Sequence, residues 1–181
     1  MHHRIKVAGL TQESIVDGPG IRFVVFTQGC KHHCPGCHNP QTHSFDGGTE
    51  MEISEILQQI KQNPLLDGVT FSGGDPFEQG EACAALAKEV RALGLHVITY
   101  TGYRYEALLA NQDSLPGWRE LLNHSHWLVD GRFEQKLKSP YFRFVGSANQ
   151  RIIDLEETRA HGELVCIEIR REGIKDQRAL G

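Results

Sequence analysis

The sequence predicts an α/β fold, a shortened and open (β/α)6 barrel of the TIM-like kind, with residues 1–181 forming a single domain. Three observations lead there. Short β-branched and aromatic runs alternate with segments of helical periodicity, and parallel strands need a long connection that a helix can fill, here as right-handed crossovers. Four successive strand-like runs each end in an unusual loop, and in barrel-type α/β proteins the loops after strands gather on one face. The chain has 181 residues, short of the roughly 250 of an eight-unit barrel, which leaves room for about six strands and an open side.

The first run, Ile21-Arg22-Phe23-Val24-Val25-Phe26, reads as a buried strand ending at Gln28-Gly29, and a cysteine-rich loop over residues 28–40 follows it. Ile53, Ile56, Leu57 and Ile60 then recur at helical spacing until Asn63-Pro64, where proline stops the helix. Gly68-Val69-Thr70-Phe71 is the next strand and runs into Ser72-Gly73-Gly74-Asp75-Pro76. Cys83, Leu86, Val90 and Leu93 mark one face of a helix closed by Gly94. His96-Val97-Ile98-Thr99 leads to Tyr100-Thr101-Gly102-Tyr103 and a short helix over residues 105–110. Trp127-Leu128-Val129 ends at Asp130-Gly131-Arg132-Phe133. Further on, Phe142-Arg143-Phe144-Val145 has the look of a strand, and residues 164–170 alternate like an edge strand.

Hydrophobic residues make up 39% and charged residues 23% of the chain, ordinary globular usage that indicates neither disorder nor a fibrous architecture. A net charge of -4 argues against a broad basic surface, so nucleic acid is not the expected partner. The start, Met1-His2-His3-Arg4-Ile5-Lys6-Val7, lacks the apolar run of a signal peptide, and no later stretch has the length of a membrane span. The expectation is a cytoplasmic protein. Its five cysteines are odd in number, and three crowd between positions 30 and 37, which suits metal-binding thiolates better than a disulfide framework. Cys83 and Cys166 stand apart and are read as small buried hydrophobes.

Cys30-Lys31-His32-His33-Cys34-Pro35-Gly36-Cys37 places three thiols within eight residues, with Pro35-Gly36 favouring a tight turn between the last two. Structural zinc wants a fourth ligand, which would have to be His32, His33, His38 or a more distant side chain. A four-iron cluster normally takes four thiolates, so three would leave one iron open to a small chelating molecule. Spacing alone does not separate the two metals. Position does favour a cofactor, because the triad ends one strand and a glycine pair ends the next. His32 and His33 are read as solvated loop residues. His2, His3, His43, His96, His124, His126 and His161 show no metal-ligand spacing among themselves.

C-x-x-x-C-x-x-C resembles the signature of the radical S-adenosylmethionine superfamily, and the resemblance extends over residues 17–130. It implies that Cys30, Cys34 and Cys37 hold a [4Fe-4S] cluster and that S-adenosylmethionine chelates the open iron and is cleaved reductively to a 5′-deoxyadenosyl radical. Many members carry an aromatic residue before the third cysteine, where this chain has Gly36. Backbone groups of Gly36, Cys37 and His38, with the His38 ring, are therefore the candidates for adenine. Ser72-Gly73-Gly74-Asp75-Pro76 resembles the superfamily's Gly-Gly-Glu stretch, which implies that Gly73, Gly74 and Asp75 meet the methionine amino group; glycine lets a ligand approach the backbone closely. Read without the resemblance, that stretch is a plain strand-to-helix turn with Asp75 near a helix N-terminus.

Asp17-Gly18-Pro19-Gly20-Ile21-Arg22 is similar to a string found in activases of glycyl-radical enzymes. The stretch over residues 17–39, including Cys37-His38-Asn39, looks like the pyruvate formate-lyase activases. The short chain, Tyr100-Thr101-Gly102-Tyr103, Val129-Asp130-Gly131-Arg132-Phe133 and the segment over residues 144–154 look like the activases of anaerobic ribonucleoside-triphosphate reductases. The latter resemblance implies an oxidoreductase that takes an electron from a low-potential donor and places a glycyl radical on the reductase large subunit. Asp130 and Arg132 have two readings, charge for the cofactor carboxylate or a cation, and a solvated turn. Rival readings of the whole are a pyruvate formate-lyase activase, a radical enzyme acting on a small molecule, and a non-catalytic zinc-binding interaction module.

Overall fold

Residues 4–172 are described by the structure, a computed structural model; His2 and His3 lie outside them. Thirteen principal elements follow one another as β1 (Arg4–Ser14), β2 (Arg22–Thr27), β3 (Thr49–Glu52), α1 (Ile53–Lys61), β4 (Gly68–Gly73), α2 (Gly80–Ala92), β5 (His96–Tyr100), α3 (Tyr105–Asn111), α4 (Trp118–His124), β6 (Trp127–Asp130), β7 (Arg151–Asp154), α5 (Leu155–His161) and β8 (Cys166–Ile167). All eight strands join one sheet in the order β3-β1-β2-β4-β5-β6-β7-β8. The pairs β2-β4, β4-β5 and β5-β6 are parallel, and the rest are antiparallel.

Six βα units were expected from the length, and the parallel block has four strands. The reason lies in the connections. β2, β4, β5 and β6 are linked through helices, which carry the chain back to start the next strand in the same direction. Residues 15–21 and 131–150 contain no α-helix, and across them the chain returns antiparallel. The strand expected at residues 142–145 is absent: Phe142 makes one isolated bridge to Arg170, and Phe144 and Val145 pack on the sheet face instead of pairing in it. The edge strand expected over 164–170 contracts to the two residues of β8.

Side-chain alternation divides the sheet into two faces. Phe23, Val25, Val69, Phe71, Val97, Leu128 and Ile153 point to the helices and meet Ile56 and Ile60 of α1, Cys83, Leu86 and Val90 of α2, and Leu121 and Leu122 of α4. α1 buries Ile53, Ile56 and Ile60 on one stripe, with Glu55 in its first turn and Lys61 in its last, each favourable to the helix dipole. On the opposite face Ile98, Val129 and Ile152 form a second apolar cluster, covered by Trp127, Phe144, Val145, Ile167 and Ile169. Cys83 is buried in the main core as expected, whereas Cys166 is exposed on β8 at the sheet edge.

The base of the second face holds a buried charge. Arg22 is 1% exposed, and its guanidinium donates to Thr70 Oγ1 at 2.7 Å and to the carbonyls of Val69 at 2.9 Å, His96 at 3.0 Å and Pro19 at 3.3 Å. Thr70 in turn donates to the Asp17 carbonyl at 2.8 Å. The Asp17-Gly18-Pro19-Gly20-Ile21-Arg22 string is thus a cover folded over its own arginine. Burial pulls the Arg22 pKa down to about 10. Beside it the His96 ring stacks on His126 at 4.6 Å, and the Val97 N–H donates to His126 Nδ1 at 2.9 Å, which fixes that nitrogen as an unprotonated acceptor.

Arg22→Met would strand the carbonyls of Val69 and His96 at about 1–3 kcal/mol each. A loss near 3 kcal/mol is expected, read as a fall in Tm of about 6–12 °C in a chain of this length. Burial, then the Arg22 charge and His126, pull the His96 imidazole from 6.5 down to about 4. Between those values the unfolded chain binds a proton there that the folded chain does not. Stability present above pH 6.5 is therefore lost as the pH falls toward 4. Denaturant midpoints should drop across that window, less steeply in His96→Gln.

Candidate metal centre and cofactor site

Parallel pairing brings the C-terminal ends of β2, β4, β5 and β6 to one end of the sheet, and backbone hydrogen bonds bind the loops there to one another. The Gly74 N–H donates to Thr27 O at 2.7 Å and the Asp75 N–H to Gly29 O at 2.9 Å. Thr101 N–H reaches Val129 O at 2.9 Å, and Gly131 N–H reaches Tyr103 O at 3.2 Å. The loops expected to meet do meet.

In the first of them Cys30 is buried, Cys34 and Cys37 are half-buried, and all three thiols are free. Pro35-Gly36 makes the expected turn, with Cys37 N–H donating to Cys34 O at 3.1 Å and Gly36 at a φ of 74°, a left-handed value that glycine takes without strain. Burial pushes the Cys30 thiol up to about 11, while the backbone groups of His32 and His33 pull the other way. A bound cation takes the place of the proton on such a sulfur. Among the described residues no group of three or more His, Cys, Asp or Glu side chains is already gathered around a metal-sized position. The three thiols sit on one short loop.

The donor set fits a cluster with three thiolate ligands. The fourth ligand that zinc requires would come from the nearby histidines, and His32 is not free to serve: its side chain is 4% exposed and Nε2 lies 2.7 Å from Asp75 Oδ2. This corrects the solvated position expected for His32. His33 is edge-on to His43 at 5.0 Å, and the His38 ring lies 4.9 Å from that of Phe133. Gly36 faces Gln135 and Phe133, so Gly36, Cys37 and His38 border a ring surface contributed by the segment after β6.

Gly73 and Gly74 owe their lack of a side chain to the protein itself. A Cβ on Gly74 would stand 2.3 Å from the Gly29 carbonyl oxygen, and one on Gly73 would stand 2.6 Å from the Thr27 nitrogen. The close approach is thus by the backbone at the start of the cysteine loop. Asp75, expected to meet an amino group, is 0% exposed and receives Phe77 N–H, Thr101 Oγ1, Gly102 N–H and His32 Nε2.

Asp130 does not sit in a solvated turn. It is 0% exposed, accepts the Tyr105 N–H at 2.9 Å and is gripped by Arg151 through Nε and Nη2, while Arg151 also holds Glu106. Arg132 is exposed. The residues to which sequence reasoning gave no role at this end are Glu78 and Arg151. The Tyr103 hydroxyl donates to Glu78, and Glu78 pairs with Lys31 at 3.0 Å.

A family model described as a 4Fe-4S single cluster domain matches residues 16–153, a span that contains every candidate site residue. The anaerobic ribonucleoside-triphosphate reductase-activating protein of Salmonella typhi is 36% identical over 144 residues, covering 75% of this chain and 90% of that protein. The pyruvate formate-lyase-activating enzyme of Clostridium pasteurianum is 38% identical over 117 residues, covering 60% of this chain and 49% of that protein. The crystal structure of QueE from Escherichia coli aligns with a TM-score of 0.43 at 15% identity, covering 55% of this chain and 52% of its own, a likeness too slight to bear on the fold. Since the family model spans most of the chain and the Salmonella protein is matched along nearly its whole length, the chain belongs to the 4Fe-4S single cluster domain family and, within it, to the family of anaerobic ribonucleoside-triphosphate reductase-activating proteins.

Proposed function

We propose that this protein is an activase that cleaves S-adenosylmethionine reductively at a [4Fe-4S] cluster held by Cys30, Cys34 and Cys37, and so places a glycyl radical on an anaerobic ribonucleoside-triphosphate reductase. The observation that carries the reading is the stitching of residues 27–29 to residues 74–75, which sets the three-thiol loop directly against the glycine-rich turn. When bound, the cluster supplies one electron and an open iron for cleaving the sulfonium, and with them the radical that takes hydrogen from a glycine Cα of the partner.

The protein's own contribution is placement and exclusion of water. Cys30, from the buried side of the loop, and the half-buried Cys34 and Cys37, on either side of the Pro35-Gly36 turn, would hold the cluster. Gly36, Cys37 and His38 with the ring of Phe133 offer adenine a flat neighbour, and the backbone of Gly73 and Gly74 faces the methionine part. The sheet, whose outer strands β3 and β8 are not joined, is read as an open barrel within a single domain. The reading further includes a low-potential electron donor, a cytoplasmic setting and no role for nucleic acid; the net charge of -4 and the lack, among the described residues, of a helix long and apolar enough to cross a membrane support it.

The pyruvate formate-lyase activase reading is second, because the match to that relative covers 49% of its length against 90% for the reductase activase. Protein purified without oxygen and loaded with iron and sulfide should be brown and release 5′-deoxyadenosine on reduction. Mixed with the reductase it should give a glycyl doublet by electron paramagnetic resonance, and with pyruvate formate-lyase none. A colourless zinc protein that leaves the cofactor intact would overturn the reading. Cys30→Ala, Cys34→Ala and Cys37→Ala should each lower radical yield by more than the roughly 10–100-fold that follows loss of an outer-shell partner of a metal site.

A further inference from the structure

A carboxylate offers about four lone-pair sites, and at Asp75 all are taken from within the protein. Oδ1 accepts the Phe77 N–H at 3.0 Å, Oδ2 accepts the Gly102 N–H at 2.9 Å and lies 2.7 Å from His32 Nε2, and the Thr101 hydroxyl lies 2.9 to 3.0 Å from both oxygens. Nothing is left for an ammonium group, and the carboxylate is 0% exposed. The donors come from three segments: the turn after β4, the loop after β5, and the cysteine loop. His32 stands between Cys30 and Cys34, its ring edge-on to Tyr103 at 4.5 Å. It presses so closely on Gly102 that a Cβ there would be 2.4 Å from His32 Cδ2. Its neighbour Lys31 reaches Glu78 in the same turn after β4.

We propose that His32 and Asp75 form one positioning unit, a buried clamp that holds the cysteine loop against the loops after β4 and β5, and that Asp75 does not itself touch the cofactor. The inference rests on the function proposed above. The pair fixes where the three thiols stand relative to the Gly73-Gly74 backbone, and hence how the cluster and the methionine part of the cofactor meet. A charge-assisted hydrogen bond shut away from water resists being broken, because either partner alone is left buried without its mate.

Two measurements on the full chain test it, with His32→Ala, Asp75→Asn, their double variant and His32→Gln, all checked for folding by circular dichroism. Without iron, amide hydrogen exchange over residues 30–37 should speed up equally in His32→Ala, Asp75→Asn and the double variant, since partners in one unit are not additive. His32→Gln, whose amide can donate from nearly the same place as Nε2, should restore slow exchange. With the cluster loaded, the first three variants should bind S-adenosylmethionine about tenfold more weakly and lose part of the cofactor-induced change in the electron paramagnetic resonance spectrum. Losses that multiply in the double variant, or wild-type exchange and spectra in His32→Ala, would overturn the clamp. Wild-type protein that takes up no cluster would sink the proposed function alone, and the exchange result would still decide the clamp.

Discussion

Residue-for-residue parallel pairing of β2 with β4, from Arg22 opposite Gly68 to Thr27 opposite Gly73, sets two strand ends level. Level ends let the backbone just past β4 bond to the backbone just past β2, and that contact tolerates no side chain at Gly74. A slip of one residue would turn either Phe23 and Val25 or Val69 and Phe71 away from the helices. The hydrophobic core therefore enforces the register, and the register places the cysteine loop. Packing on one face of the sheet and chemistry at its end follow from a single constraint.

Three buried ionic side chains mark the ends of the parallel strands: Arg22 at the start of β2, Asp75 past the end of β4 and Asp130 at the end of β6. Each is surrounded by hydrogen-bond partners from elements distant in sequence, as buried charges must be. Such groups add little net stability compared with apolar replacements, but they penalise every arrangement in which a partner is missing. Around Asp75 and Asp130 this selects one geometry for the loops after β4, β5 and β6. Loops are ordinarily the mobile part of a fold, and here they are tied by side chains that lie beneath them.

Periodicity carried most of the fold. The β-branched run at residues 21–26 and the i, i+3, i+4 spacing of Ile53, Ile56 and Ile60 gave elements that the structure contains within a residue or two. The eleven-residue β1 was missed because its Ile5 and Val7 alternation breaks at a register shift before Gly9. α4 was missed although Trp118, Leu121 and Leu122 repeat at helical spacing, since Pro116-Gly117 before them reads as a turn. The three thiols were legible from spacing, being local. His32 was not: nothing distinguishes two adjacent histidines until an aspartate 43 positions away closes on one of them. Arg151 was hidden likewise, its partner Asp130 lying 21 positions earlier across an antiparallel pair.

The unjoined outer strands bear on behaviour at high protein concentration. An exposed strand edge is a template on which a second molecule can add its own strand, the first step toward fibrous aggregates. β8 is two residues long, and β3 presents Glu50 and Glu52 beside Arg4. One edge is too short to template a growing ladder and the other carries charge that a stacked copy would have to desolvate. Both outer edges of the sheet are in this way kept closed to its own kind.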